Sequence, residues 1–446
     1  MISEREINER HHLSRRIGIA MTVACAVYIG SSPPTGGVIW FPLFGWLAEI
    51  YSAGIFDALK MLILAFLVVR GPTVGVLGLG SVLVLLIWAA KYSGMGAFIP
   101  IAAYNLAFFA AVASYFKGES SSDIAKDQKN IGKAAAMSLA IIFIGAALQK
   151  INSNYLAGFE FFSRFGFLGP LIQYADVNLG PQAGRFLAWS SIAVELGIGF
   201  GALWWPRLAA HFAVIFCLVL ALVHPAVLFV YFTLCPFLLL IDSNVVARIK
   251  DERFRSLLSN EFLWITVLLL GVVSFDWMKT GPSAFFIRPW IVTVALLLVH
   301  GWLLKQAVGE PRGSDWVFTD WRPKAATAVL LLVLAATPVA AWLGAPAPVG
   351  FTMFSGRGKE MAPYQIRLKD MALCGQVSAN VRMYSSTDGR FSWNSESFCS
   401  ITGPTKSGMD FVLKQLCTGY EIPYGGLETR TTREGAWVEY DCQGSD

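Results

Sequence analysis

The chain has 446 residues, 55% hydrophobic and only 15% charged, which excludes an ordinary soluble domain and leaves room for many membrane crossings. Its formal charge of +5 comes from basic residues scattered over short connectors between apolar runs. That distribution excludes the concentrated cationic groove a nucleic acid needs, so the expected surroundings are membrane lipids and not nucleic acid.

Residues 1–16 are strongly polar and carry Arg5, Arg10, Arg15 and Arg16, with no small-residue cleavage site behind a short apolar core. They are expected to be a cytoplasmic segment, with the first span serving as an uncleaved insertion signal. Apolar runs follow at about 17–31, 56–70, 73–90, 97–115, 134–150, 186–203, 208–223, 226–241, 262–275, 289–305 and 325–343. Several fall short of the roughly 20 residues of a straight span, so tilted or broken helices are expected among them. Trp40 to Ile50, after the Pro33-Pro34 loop, has the composition of a segment lying at the interface. The fold class predicted is an all-α polytopic membrane bundle of about 9–11 spans over residues 17–343.

Charge orients this bundle. Lys117, Lys126, Lys129 and Lys133 follow the fourth run, and Arg248, Lys250, Arg253 and Arg255 follow the eighth. Lys and Arg accumulate in short cytoplasmic connectors, which places both connectors, and the amino terminus, on the cytoplasmic side. Arg312, Arg322 and Lys324 precede the final run, which then carries the tail to the other side.

Polar residues inside or beside the spans are the candidates for chemistry. Tyr104 and Asn105 in the fourth run, and Tyr155 beyond the fifth, carry groups able to hydrogen-bond a cofactor, although such residues also tie membrane helices together. Lys150 ends the fifth run and leads into Ile151-Asn152-Ser153-Asn154. A lysine there either snorkels to the headgroups or faces inward, where desolvation favours the neutral amine a general base needs. Phe159 to Leu171 is apolar but broken by Arg164, Gly166, Gly169 and Pro170, the pattern of a re-entrant piece able to roof a cavity. Glu195 falls near the middle of the sixth run, where a carboxylate must turn inward, take a proton or find a partner. His224, before Pro225 at the external end of the seventh run, is placed either to carry a proton or to bond backbone. His211 lies three to four turns away on the same run, and His300 is isolated on another. Cys25, Cys217 and Cys235 read as small apolar fillers. No Cys/His spacing matches a zinc site and no Gly-rich loop precedes a lysine in the phosphate-binding pattern, so neither a metal nor a nucleotide is expected.

Residues 344–446 begin with Gly344-Ala345-Pro346-Ala347-Pro348 and then alternate polar and apolar residues, as in Tyr364 to Leu368 and Val377 to Val381. These runs predict strands, and Gly408 to Leu416 predicts one short helix. Cys374, Cys399, Cys417 and Cys442 all fall in this stretch, and that density predicts disulfides on the oxidising side of the membrane. Three pairings are open. The tail is thus expected to be a small exported, strand-rich, disulfide-containing domain, periplasmic or extracellular.

Lys150-Ile151-Asn152, Glu195 and the segment Phe212 to Asp242 containing His224 together resemble the membrane domain of the HTTM family, the bacterial relatives of vitamin K-dependent gamma-carboxylases. The resemblance covers much of residues 10–345, and Met353-Phe354 soon after the last span adds to it. It implies a bacterial inner-membrane protein in which Lys150 is the base that deprotonates a reduced, vitamin K-like quinone, with His224 and Glu195 as helpers. The substrate implied is an exported peptide or protein. The chain departs from the family in having no histidine between Arg16 and Lys150 and a tail of only about 100 residues. Those departures leave open a second expectation, a non-catalytic partner in maturation, binding or export of a secreted peptide, with Tyr420, Tyr424 and Trp437 as contact residues.

Overall fold

In a computed structural model the described residues are 42–70, 73–90, 98–115, 121–158, 181–223, 227–242, 297–302, 325–342, 364–369, 399–403, 405–419, 424–431 and 435–442, with a few single positions. Ten helices are described before the tail: α1 (Gly45–Ser52), α2 (Ile55–Arg70), α3 (Val74–Ala90), α4 (Phe98–Tyr115), α5 (Ser121–Gln149), α6 (Ser153–Leu156), α7 (Pro181–Trp204), α8 (Pro206–Val223), α9 (Val227–Ile241) and α10 (Ala325–Trp342). Residues 297–302 are also helical. Asn130–Gln149 of α5 and Gln182–Trp204 of α7 are long and apolar enough to cross a membrane. Four further stretches are apolar but shorter: Val74–Ala90, Pro100–Ser114, Pro206–Leu220 and Ala325–Val339.

Helix α5 is the centre of the bundle, with α7, α8, α9 and α10 packed against it. Its buried face is built from Ala134, Ala135, Ala136, Ala140 and Ala147, whose small side chains allow neighbouring backbones to come close. On α7 the closest approach falls at Gly199, where a Cβ atom would lie 2.6 Å from Ile144 Cγ1 and 3.1 Å from the Ile144 nitrogen. That contact fixes how α7 faces the end of α5. Outward-facing Phe186, Trp189, Phe200, Phe212, Leu298 and Leu332 are exposed, an apolar exterior that water does not favour.

Polar groups tie the interior together. Ser81 Oγ donates to the Ala103 carbonyl at 2.8 Å, and Tyr104 and Ser138 share a buried hydrogen bond of 2.7 Å between α4 and α5. In α10, Pro338 lacks the N–H that would bond the Leu334 carbonyl; Thr337 Oγ1 donates to that carbonyl instead, at 2.7 Å. The Pro338 carbonyl in turn accepts from Gln149 Nε2 at 2.8 Å, which locks the end of α5 to α10.

The tail contains a four-stranded antiparallel sheet and one helix, α11 (Lys406–Gly419), slightly longer than the Gly408 to Leu416 expected. Strands β1 (Tyr364–Leu368), β2 (Cys399–Gly403), β3 (Leu427–Arg430) and β4 (Val438–Glu439) lie in the order β2-β1-β3-β4. Leu368 stands opposite Cys399 on one side and Leu427 on the other. Met409, Val412, Leu413 and Leu416 of α11 cover Ile366, Leu368 and Leu427 to make a small separate core. A disulfide joins Cys417 to Cys442. Cys374 and the expected strand at Val377 to Val381 lie outside the described residues, and for Cys399 the backbone alone is described.

The tail core touches the bundle through α1. No residue beside α1 caps its first turn, and the Gly45 N–H is satisfied by Ser407 Oγ at 2.9 Å. Thr405 Oγ1 donates to the Leu43 carbonyl at 2.5 Å while accepting from the Gly408 N–H, so it caps α11 and clamps α1 together. The Leu43 N–H reaches the Ala89 carbonyl at 2.7 Å, which completes the chain of contacts into α3.

Candidate functional site

Lys150 begins the site. It follows directly on α5, where Asn152 turns the chain by accepting from the Tyr155 N–H and donating to the Gln149 carbonyl, each at 3.0 Å. Asn152 is in effect the cap of α6, which explains the polar Asn-Ser run after the lysine. Gly158 then takes a left-handed conformation, φ 83°, over the first turn of α7, where a Cβ atom would lie 2.3 Å from the Gly184 carbonyl carbon. The resulting loop returns Tyr155 to the face of α7 that carries Ser191 and Glu195, one turn apart.

On that face Lys150 Nζ donates to Glu195 Oε1 in an ion pair whose members are each only 3% exposed. The Tyr155 ring lies 5.6 Å from Lys150 Nζ, within cation–π range, and its hydroxyl bonds Ser191 Oγ at 2.6 Å. Glu195 Oε2 has no hydrogen-bond partner among the described residues. Cys217 of α8, buried, is within electrostatic reach of both charges. Of the two readings of Lys150, the snorkelling one fails, because its ammonium is enclosed by protein. Lys150 and Glu195, two separate anomalies in the sequence, are one unit.

A buried ion pair has a definite chemical capacity. Where burial removes hydration, the charged pair and the neutral pair reached by passing one proton from Lys150 to Glu195 come close in free energy. Glu195 therefore offers a route to the neutral amine, and its free Oε2 offers an acceptor for an incoming hydroxyl.

The other expected site residues divide. Tyr155 joins the Lys150 centre. Tyr104 bonds Ser138 between α4 and α5, and Asn105 is buried on the same helix. His224 and the segment Phe159 to Leu171 lie outside the described residues. Among the described residues no group of three or more His, Cys, Asp or Glu side chains is arranged to hold a metal ion.

A second polar cluster escaped the sequence reading. His211, read as three to four turns from His224 on the same run, and His300, read as isolated, meet: His211 Nδ1 lies 3.2 Å from His300 Nε2. Asp242, the residue after α9, lies 3.4 Å from His211 Nε2. All three are at most 2% exposed. The available signal was that three ionisable side chains interrupt or end apolar runs, but separations of 31 and 89 residues hide the meeting.

Comparison of the chain with protein-family models, characterised proteins and solved structures returns no match.

Proposed function

We propose that the chain is a polytopic membrane protein of about 9–11 spans, and that Lys150 with Glu195 forms the proton-transfer centre of an enzyme resembling the vitamin K-dependent carboxylases. The observation that carries this reading is the buried Lys150–Glu195 pair against Tyr155, with Glu195 Oε2 unpartnered among the described residues. Ionisable side chains within apolar helices are expensive and mark functional sites by default. A reduced quinone, when bound, supplies a weakly acidic hydroxyl and reducing equivalents. Glu195 Oε2 would hold that hydroxyl, and Lys150, relieved of its own proton by Glu195, would accept the proton. Tyr155, pinned by Ser191, fixes the ammonium in place. The substrate proposed is an exported peptide or protein meeting the tail.

Polytopic topology draws support from which helix ends meet. In an alternating path, the ends of α3, α5 and α10 share one side, and Leu43 meets Ala89 there while Gln149 meets Pro338. The start of α8 and the end of α9 share the other side, where His211 meets Asp242. With the basic connectors cytoplasmic, Lys150 and the disulfide-containing tail belong to the external side of a bacterial inner membrane.

Full-length protein in nanodiscs, supplied with a reduced short-chain naphthoquinone and oxygen, should consume the quinol. Lys150→Ala should abolish consumption per molecule of folded protein; full activity in that variant removes the enzyme reading. The partner reading then takes its place, and it has its own support in Tyr424, which projects from the tail at 75% exposure. Arg367 and Arg430 lie over the ring of Trp437, another of the expected contact residues, at 5.4 and 4.7 Å. Tyr420 lies outside the described residues.

A further inference from the structure

We propose that Phe44 and Trp46 form a lipid-docking surface that seats α1 in the headgroup layer at the external face of the bilayer. The proposal rests on the reading of the chain as a membrane-spanning bundle and on nothing assigned to Lys150.

Both ends of α1 meet the same end of the bundle. At its start the Leu43 N–H bonds the carbonyl of Ala89, one residue before α3 ends, at 2.7 Å. At its finish Gly54 takes a left-handed conformation, φ 74°, and turns the chain into Ile55, the first residue of α2. Since α2 and α3 pack together, α1 lies across the end of that pair instead of running along it. Leu47, Ala48 and Tyr51 face inward and are buried, and the Tyr51 ring meets that of Phe56 at 6.2 Å. Phe44, the residue before α1, and Trp46 face outward at 42% and 56% exposure, their rings stacked 6.3 Å apart.

The chemistry of this outward side selects its occupant. Two adjoining aromatic rings are unfavourable in water, yet Glu49, one turn after Trp46, is exposed beside them. Hydrocarbon would strand that carboxylate, whereas the headgroup layer takes the rings into its apolar edge and leaves the carboxylate in water. Trp46 suits that boundary, because its indole N–H can donate to an ester or phosphate oxygen while the ring is buried. The exposed apolar surface continues onto α2 in Ile55, Leu59, Met61 and Leu62, and Asp57 pairs with Lys60 near the start of that helix. Paired charges followed by exposed apolar side chains are the order of environments met on entering a bilayer.

The tail stands on the same turn of α1. Gly45, between the two aromatic residues in the chain, is buried, and a Cβ atom there would lie 3.1 Å from the Ser407 carbonyl oxygen and 3.4 Å from Phe411 Cβ. Helix α11 therefore packs directly on the α1 backbone, with the Gly45 N–H bonded to Ser407 on that side. Docking of Phe44 and Trp46 among the headgroups thus sets the height of the tail on the bilayer.

The test uses the full chain, produced with fluorotryptophan, in phosphatidylcholine nanodiscs and followed by fluorine NMR. Trp46→Phe and Trp204→Phe each remove one signal from those of the 15 tryptophans and so assign both; where Trp46→Phe fails to fold, Trp46→Tyr assigns the same line. A nitroxide on the lipid headgroup should broaden the Trp46 line severalfold, well beyond the effect of a nitroxide at the acyl-chain end or of a gadolinium chelate in the water. Broadening mainly by the chelate would place Trp46 in water, and mainly by the chain-end nitroxide in hydrocarbon. A line that none of the three reaches would place it under a second copy of the chain or another protein. Each of these results overturns the proposal. Trp204, exposed at the end of the apolar stretch of α7, separates two kinds of failure. If a lipid nitroxide broadens Trp204 and not Trp46, the docking surface alone is wrong; if it broadens neither, the membrane-spanning reading falls as well.

Discussion

Lys150 and Glu195 show what a paired charge does to the energetics of a single position. Alone, each would be an uncompensated ion at 3% exposure; together they need only the geometry that Gly199, Asn152 and Gly158 impose on α7 and on the turn after α5. Lys150→Met should lower stability by about 3–5 kcal/mol because it strands a buried carboxylate, whereas Lys150→Met with Glu195→Met should recover most of that loss. Thermal unfolding of both variants in the same nanodiscs measures this. If the pair is the catalytic centre, the double variant is folded and inactive, which separates a role in chemistry from a role in packing. Both residues were legible individually, since a lysine at the end of an apolar run and a glutamate inside one are costly by composition alone. Their pairing was not, because it depends on how α7 packs on α5 across a gap of 45 residues. His211, Asp242 and His300 were illegible for the same reason, and each alone resembles an ordinary helix-packing side chain.

At the scale of elements, apolar run length anticipated most described helices to within a few residues, since a helix is the form in which a continuous apolar segment satisfies its own backbone. The tail was harder to read, because its strands are short and alternate weakly; Tyr364–Leu368 was recognisable, but the pairing β2-β1-β3-β4 is a long-range property. The Cys417–Cys442 bridge closes α11 onto the chain after β4 across 25 residues, and this pairing was one of several open to four cysteines. β4 has only two residues, both exposed, so the bridge holds what its hydrogen bonds hold weakly. Cys417→Ser with Cys442→Ser should destabilise the tail by about 3 kcal/mol through the gain in unfolded-chain entropy. Urea unfolding followed by the fluorescence of Trp437 checks this; an unchanged midpoint would show that the small core of Ile366, Leu368, Val412 and Leu416 is sufficient by itself.

Across the whole molecule, the tail core and the bundle meet at a short polar seam, where Ser407 caps α1 and Thr405 binds the Leu43 carbonyl. Each side chain contributes about 1 kcal/mol as a hydrogen bond, so Thr405→Val with Ser407→Ala should release the seam while leaving both cores folded. Limited proteolysis should then cut between α10 and β1 faster than in the parent chain, with the helical fragment intact; equal rates would show that Phe411, packed on the bundle core, holds the seam alone. That seam also constrains the order in which the molecule can be made. Gly45 leaves the ribosome well before the hydroxyl that caps it, which follows 362 residues later. At about 5–20 residues per second, α1 waits roughly 20–70 s for that hydroxyl, so the seam between α1 and the tail forms only after the helices between them have been made.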